Sequence, residues 1–457
     1  MSEHVRDIQL NPVKSTIMLA LPIIALLILN SFYTIIDIYW IDGIGTSAII
    51  CMGYISNFIY VMNNIGDGIG RSSNVLISNA LGANEIEKTS GYASNALFLI
   101  IAISIIVPII SIPLIKPICM MANIAEYSDM IFLYIAPCMG LIIIIMINNF
   151  FSAILGSEGD TKRATIIIIA GNLLNIILDP MLIYDLNLGM MGAAIATILG
   201  SLFSCLLFIY LYSIKKDTVV KIHLKGFKFD MGIVKEIVKL TIPIILTGFI
   251  LSLIGVIITY LLHLYASPVA AFSYIIILNI QTAFFTPIQG LLKGLGIVSG
   301  HLAGAKRFLV LKNTIIKIFA IGLALSMLFA IFLIVFLNPI VNIFSTDYVV
   351  MNEVRNMMIF SVIYMISFPI ILGCSYVFLS LKKSTYVLMF LIFNLISLIV
   401  LIAIFSQIIG INSFGIFSSV ILSNVIEALL MIFVLKRLLD GKIRTYESES
   451  EGIVVVN

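Results

Sequence analysis

Apolar residues fall along this chain in long unbroken blocks, without the two-residue alternation of half-buried strands. About twelve blocks approach or exceed the roughly 20 residues a helix needs to cross a bilayer, near residues 15–40, 47–78, 91–117, 129–154, 163–184, 189–213, 236–263, 269–300, 314–337, 354–380, 385–408 and 412–435. That length excludes the short alternating strands of an outer-membrane barrel. The fold class it predicts is an all-α integral membrane protein. The blocks also repeat about 220 residues apart: Leu21-Pro22-Ile23-Ile24 is answered by Ile242-Pro243-Ile244-Ile245, Leu81-Gly82-Ala83 by Ala303-Gly304-Ala305, and the Gly189-to-Ala193 stretch by Gly410 to Gly415. Two related six-helix lobes are expected, residues 1–214 and 236–457, with a connector at 215–235.

Polar positions interrupt the blocks unevenly. In the first, Asn30, Thr34 and Asp37 stand four and three residues apart and so share one helical face. In the fifth, Asn172, Asn175 and Asp179 repeat the arrangement, and Pro180 follows. A proline there has no N–H to give the Ile176 carbonyl, which leaves that oxygen open to a cation. Under the repeat register Asp37 corresponds to Ile258 and Asp179 to Leu401, so only the first lobe carries these acids. The second offers Asn279, Gln281, Gln289 and Asn394, which supply hydrogen bonds without charge.

Composition supports the membrane reading, with 61% hydrophobic and 11% charged residues and a mean hydropathy of +1.17. The charges orient it. Placing the termini and the even-to-odd connections in the cytoplasm puts 22 of the 26 Lys and Arg there, leaving Lys116, Arg355, Arg71 and Lys293 elsewhere. The expected localisation is the cell membrane (the inner membrane), multi-pass, with both termini cytoplasmic. The polar start lacks a signal-peptide cleavage pattern, so the first block is expected to remain. In this topology segments one and five reach Asp37 and Asp179 late, while segments four and six reach Tyr134 and Thr197 early. All four residues then lie in the outer half of the bilayer, where a shared oxygen-lined cavity is expected. Separate helix-packing hydrogen bonds are the alternative.

Other features point to architecture. Asp67 and Arg71 are spaced for an ion pair, Lys293 corresponds to Arg71, and Glu427 is an intramembrane acid of open role. Gly66 and Gly70, and Gly192, Ala196 and Gly200, recur every four residues for close helix approach. Pro22, Pro243 and Pro287 mark possible bends, and one at Pro22 would swing the face holding Asp37. Cysteines 51, 119, 138, 205 and 374 show no metal or redox spacing, and neither do His4, His223, His263 and His301. No hydrolase, zincin or nucleotide-loop motif occurs, so an enzyme or ATP-driven pump is not expected. A net charge of +3 argues against a nucleic-acid partner.

The ending of segment one, Asp37-Ile-Tyr-Trp-Ile-Asp-Gly-Ile-Gly45, the Leu155-Gly-Ser-Glu-Gly-Asp160-Thr-Lys stretch and Asn175-Ile-Ile-Leu-Asp179-Pro180, on twelve duplicated spans, resemble the multidrug and toxic compound extrusion (MATE) family over essentially the whole chain. The resemblance implies two lobes around a central cleft and a secondary antiporter that exports small organic, often cationic, compounds in exchange for Na⁺ or H⁺. It implies no cofactor beyond that ion, with the lipid bilayer as surroundings and a monomer as the working form. Carried over by motif, Asp37, Asn175, Asp179 and Thr197 hold the coupling cation, Na⁺ being the metal candidate, Tyr134 and Asn30 line the cavity with Thr34 and Asn172, and Pro22 is the hinge. A flippase for lipid-linked sugars from a related branch is the alternative, which would call for several cavity cations; a membrane-embedded enzyme is a more distant one.

Overall fold

The computed structural model describes residues 3–121, 124–215, 217–222, 227–344, 347–409 and 412–454; His223 and Gly410, singled out above, lie outside them. The described residues fold as helices, in order α1 (Glu3–Leu10), α2 (Pro12–Asp42), α3 (Thr46–Gly82), α4 (Ile86–Met121), α5 (Ser128–Gly140), α6 (Ile142–Ser157), α7 (Thr161–Pro180), α8 (Gly189–Ile209), α9 (Met231–Tyr265), α10 (Pro268–Gly304), α11 (Phe308–Val335), α12 (Leu337–Phe344), α13 (Tyr348–Ser380), α14 (Ser384–Ile409) and α15 (Ser413–Val454). No strand occurs among them. Eleven are long and apolar enough to span a bilayer, and α5 with α6 makes a twelfth span bent by 54°. The sequence pattern gave one continuous block there. Pro137 withholds an N–H from the preceding turn and Gly140 lowers helix propensity, so the helix breaks at Leu141. Outward faces carry large apolar side chains, such as Ile105, Ile109 and Ile110 on α4 and Leu328, Ile331 and Ile334 on α11. A soluble protein would bury such rows; a bilayer solvates them.

Two compact units result: Met1–Ile8 with Leu21–Ile245, and Gln9–Ala20 with Leu246–Asn457. Within the first, α3 packs on α6 and α7 on α8; within the second, α10 packs on α13 and α14 on α15. The duplication extends to the turns. Helices α3, α6, α10 and α13 end on left-handed residues Asn84 (φ 62°), Gly159 (φ 86°), Lys306 (φ 56°) and Lys382 (φ 60°). Each turn closes with the same pair of backbone bonds, for example Asn84 N to Leu81 O at 3.1 Å and Glu85 N to Ala80 O at 2.8 Å, matched by Lys306 N to Ala303 O at 3.1 Å and Arg307 N to Leu302 O at 2.9 Å. These are Schellman caps, which satisfy carbonyls that a helix end would otherwise leave open. The repeated Gly82-Ala83 and Gly304-Ala305 pairs thus lie immediately before matching helix stops.

The turn after α6 also anchors the connector. Glu158, 3% exposed, accepts Val220 N at 3.0 Å on Oε1 and Val219 N at 3.1 Å on Oε2. Asp160 caps α7 by accepting Arg163 N at 3.0 Å, and Arg163 reaches from there to Asp217 at 3.1 Å. Burial pushes the Glu158 carboxyl up to about 7, against the pull of the two N–H groups and Arg163; Asp160 adds a smaller push, and Tyr212 faces the same group. The sign follows from the raised value. The docked connector holds the Glu158 proton more tightly than a solvated carboxyl with its ordinary 4.5, so docking gains as pH falls from about 7 toward 4.5 and weakens as pH rises through about 7. Amide-exchange protection at Val219 and Val220 is expected to drop across that upward step in the native protein. Glu158→Gln should remove the pH dependence; protection that still falls at the same pH in this variant rules the mechanism out.

Candidate functional site

The site begins with the pairing of α7 and α8. A Cβ on Gly200 would lie 2.6 Å from the Gly171 carbonyl oxygen and 2.8 Å from Asn175 Cβ, and one on Gly171 would lie 2.5 Å from the Gly200 oxygen. Only hydrogen fits at either position, so the backbones approach closely, as small-residue contacts allow in membranes. Ser204 Oγ then donates to the Ile167 carbonyl at 3.0 Å across the same seam. Further along, Gly192 lies against the Leu182 carbonyl, where its Cβ would come within 2.6 Å. The chain leaves α7 through Pro180 into a π turn, Met181–Asp185. Wide turns of this kind recur at functional sites.

This seam fixes Asn175 and Asp179, which are 2% and 0% exposed. Asn175 Nδ2 donates to Asp179 Oδ1 at 3.4 Å. From α2, Asp37, 7% exposed, lies close enough to Asp179 for their charges to interact. From α5, the buried Tyr134 and Cys138 face Asp37. From α8, Thr197 Oγ1 lies 3.4 Å from the Tyr134 hydroxyl and donates to the Ala193 carbonyl at 3.0 Å. Helices α2, α5, α7 and α8 therefore meet around one group of oxygens. Three of these, Asp37 Oδ1, Asn175 Oδ1 and Asp179 Oδ2, are buried without a hydrogen-bond partner.

Asn30 and Asn172 occupy a neighbouring level. Asn172 Nδ2 donates to Asn30 Oδ1 at 2.8 Å, tying α7 to α2. Such an interhelical bond in lipid contributes about 0.6–2 kcal/mol. Thr165 Oγ1 adds a second tie, to the Pro22 carbonyl at 3.1 Å, and the Tyr184 hydroxyl a third, to the Trp40 carbonyl. Thr34 is exposed and donates back to the Asn30 carbonyl at 3.0 Å, so its hydroxyl is used within its own helix. Helix α2 runs unbroken through Pro22, which offers no N–H to the Met18 carbonyl.

One neighbour escaped the sequence reading. Tyr33, on α2, faces Asp37, Asp179 and Thr197 together. It stands one helical turn before Asp37, which was the available signal, but a tyrosine among Leu and Ile reads as packing. In the other unit the position matching Asp37 is Ile258, 2% exposed, so that core is apolar at the corresponding point. Asn279 there is exposed and bonds to its own helix at Ile275, whereas Gln281 and Asn394 are buried. Arg71 is ion-paired with Asp67 at 2.5 Å.

The donor set suits a hard cation or a proton. It has two carboxylates, an amide oxygen and hydroxyls, with no imidazole among them. Among the described residues no group of three or more His, Cys, Asp or Glu side chains forms. Two acids within reach of each other in a low-dielectric region cannot both stay charged without a counter-ion.

Two stretches, residues 22–181 and 243–405, match the family model described as MatE. Multidrug export protein MepA of Staphylococcus aureus (strain NCTC 8325 / PS 47) is 27% identical over 263 residues, 56% of this chain and 56% of that protein. This chain thus spans a little over half the length of that relative. Multidrug export protein MepA of Staphylococcus haemolyticus (strain JCSC1435) is 26% identical over 344 residues, 73% of this chain and 74% of that protein. Among solved structures, a multidrug resistance MATE family transporter of the MOP superfamily in an outward-facing conformation superposes with a TM-score of 0.92 at 21% identity, covering 97% of this chain and 99% of that one. At that identity the likeness is one of fold.

Proposed function

Because the chain belongs to the MatE family of membrane transporters, we propose that it is a secondary antiporter exporting small organic, often cationic, compounds against an inward flow of Na⁺ or H⁺. The observation that carries the coupling assignment is the set of three buried, unpartnered oxygens on Asp37, Asn175 and Asp179. A buried acceptor without a donor is costly, and a proton or cation relieves it. Asp37, Asn175, Asp179 and Thr197 form the ion site, and Tyr134 with Asn30 and Asn172 lines the path beside it. The matched relatives are multidrug export proteins, which supports small organic cargo. The distribution of Lys and Arg supports cytoplasmic termini in the cell membrane.

Coupling follows from linkage. Bringing a cation or proton to the two acids removes net negative charge from the site, and a cationic cargo favours the opposite charge state. If each favours a different arrangement of α2, each displaces the other. Moving such an equilibrium from 1:99 to 99:1 takes about 5.5 kcal/mol of differential binding. In this reading Pro22 is the hinge, since its missing N–H leaves α2, continuous through that position, one hydrogen bond weaker there.

The test is efflux of a cationic dye from proteoliposomes under an imposed sodium gradient, an imposed pH gradient, or neither. Export that follows one of the two gradients is expected. Export that ignores both sinks the antiport reading.

A further inference from the structure

Glu427 lies on α15, fourteen residues and so about 21 Å past Ser413, well inside the hydrocarbon depth. It is 4% exposed. Among the described residues it takes part in no ion pair. Helix α15 packs mainly on α13 and α14. From α14 the Asn394 side chain, also 4% exposed, faces the carboxyl, and its Nδ2 has no hydrogen-bond partner of its own. From α13 the facing titratable groups are Tyr364 and Cys374, and Tyr274 of α10 faces Tyr364 in turn. Among the described residues no titratable group of α11 faces it.

A lone carboxylate at this depth has nothing to balance its charge, so it takes a proton or draws in a cation. A hard metal cation wants about six oxygens, and this pocket presents one carboxyl and one amide. The proton is the occupant that fits. Asn394 gives the other state a partner, because its free N–H can donate to the carboxylate once the proton leaves. We infer that Glu427, with Asn394 as its hydrogen-bond donor, is a proton-binding site of the second unit, separate from the Asp37 and Asp179 group of the first. The reaction is –COO⁻ plus H⁺ giving –COOH, with no other reactant. This inference does not rest on the coupling role proposed for the first unit.

The experiment is an acid-minus-alkaline infrared difference spectrum of the full-length protein in liposomes, read in the protonated-carboxyl stretch. Glu427→Gln should remove one band that the Asp37→Asn/Asp179→Asn double variant keeps. Asn394→Ala, which deletes the donor, should move the titration of that band toward alkaline pH by about one unit, a tenfold gain in proton affinity. Glu427→Asp should shift its frequency, which keeps the assignment testable where Glu427→Gln folds poorly. A spectrum unchanged in all three single variants overturns the proposal. So does a band that sodium bleaches at constant pH, since the occupant is then a metal ion. Loss of dye efflux in the double variant with the Glu427 band intact separates the two sites.

Discussion

Asp37→Asn and Asp179→Asn are each expected to reduce gradient-driven efflux to the level of protein-free liposomes while expression and membrane insertion stay normal. The substitution keeps side-chain shape and most of the packing but removes the negative charge to which a cation or proton responds. Both residues are nearly or wholly buried, at 7% and 0% exposure, and each carries an oxygen that no donor satisfies. An amide in place of either acid leaves a single carboxyl to hold the ion and removes the like-charge repulsion between the two on which its release depends. Ion-binding calorimetry on the same variants should show the loss of ion-dependent heat. Normal efflux from both would refute the assignment, whatever the family likeness.

Gly200→Ala should both destabilise the first unit and disturb the site, because its new methyl strikes the helix that carries Asn175. The new Cβ would lie 2.6 Å from the Gly171 carbonyl oxygen and 2.8 Å from Asn175 Cβ, both fixed parts of α7 that have no rotamer to escape by. Relief requires α7 and α8 to separate, at about 1–3 kcal/mol for overpacking, and Asn175 moves with the seam. A lower melting temperature and weakened ion binding are expected together. Gly255→Ala on α9 is the control: its Cβ meets nothing within 4 Å, and helix propensity favours alanine by about 1 kcal/mol. Equal stability of Gly200→Ala and Gly255→Ala would show that the close approach is not required.

The sequence was most informative where one residue type has few physical outlets. Runs of Ile and Leu longer than a bilayer is thick leave helices as the only way to satisfy the backbone in lipid, so the class of fold was legible at once. The spacing of Asn172, Asn175 and Asp179 likewise fixed a common face on α7. Asp67 and Arg71, one turn apart, form the ion pair that their spacing predicts, at 2.5 Å. The bend at Leu141 was not legible, because a proline inside an apolar run bends some helices and not others: α2 passes through Pro22 unbroken while α5 ends soon after Pro137. The connector's anchor was also hidden. Glu158 looked like one polar residue in a turn, and only the return of Val219 and Val220 from about sixty residues away makes it a buried receptor for two amides.

By itself, then, the sequence determined that this chain is a duplicated bundle of membrane helices whose first half holds acids that its second half replaces with Ile258 and Leu401. Periodicity and hydropathy are local properties, and local properties suffice for that. Only the tertiary structure decided which helices meet. It drew α2, α5, α7 and α8 together, brought Tyr33 into the group, turned Thr34 back onto its own helix and set Asn394 against Glu427. Those outcomes depend on where glycines let backbones touch and where an unpaired oxygen ends up facing, and sequence spacing carries no information about either.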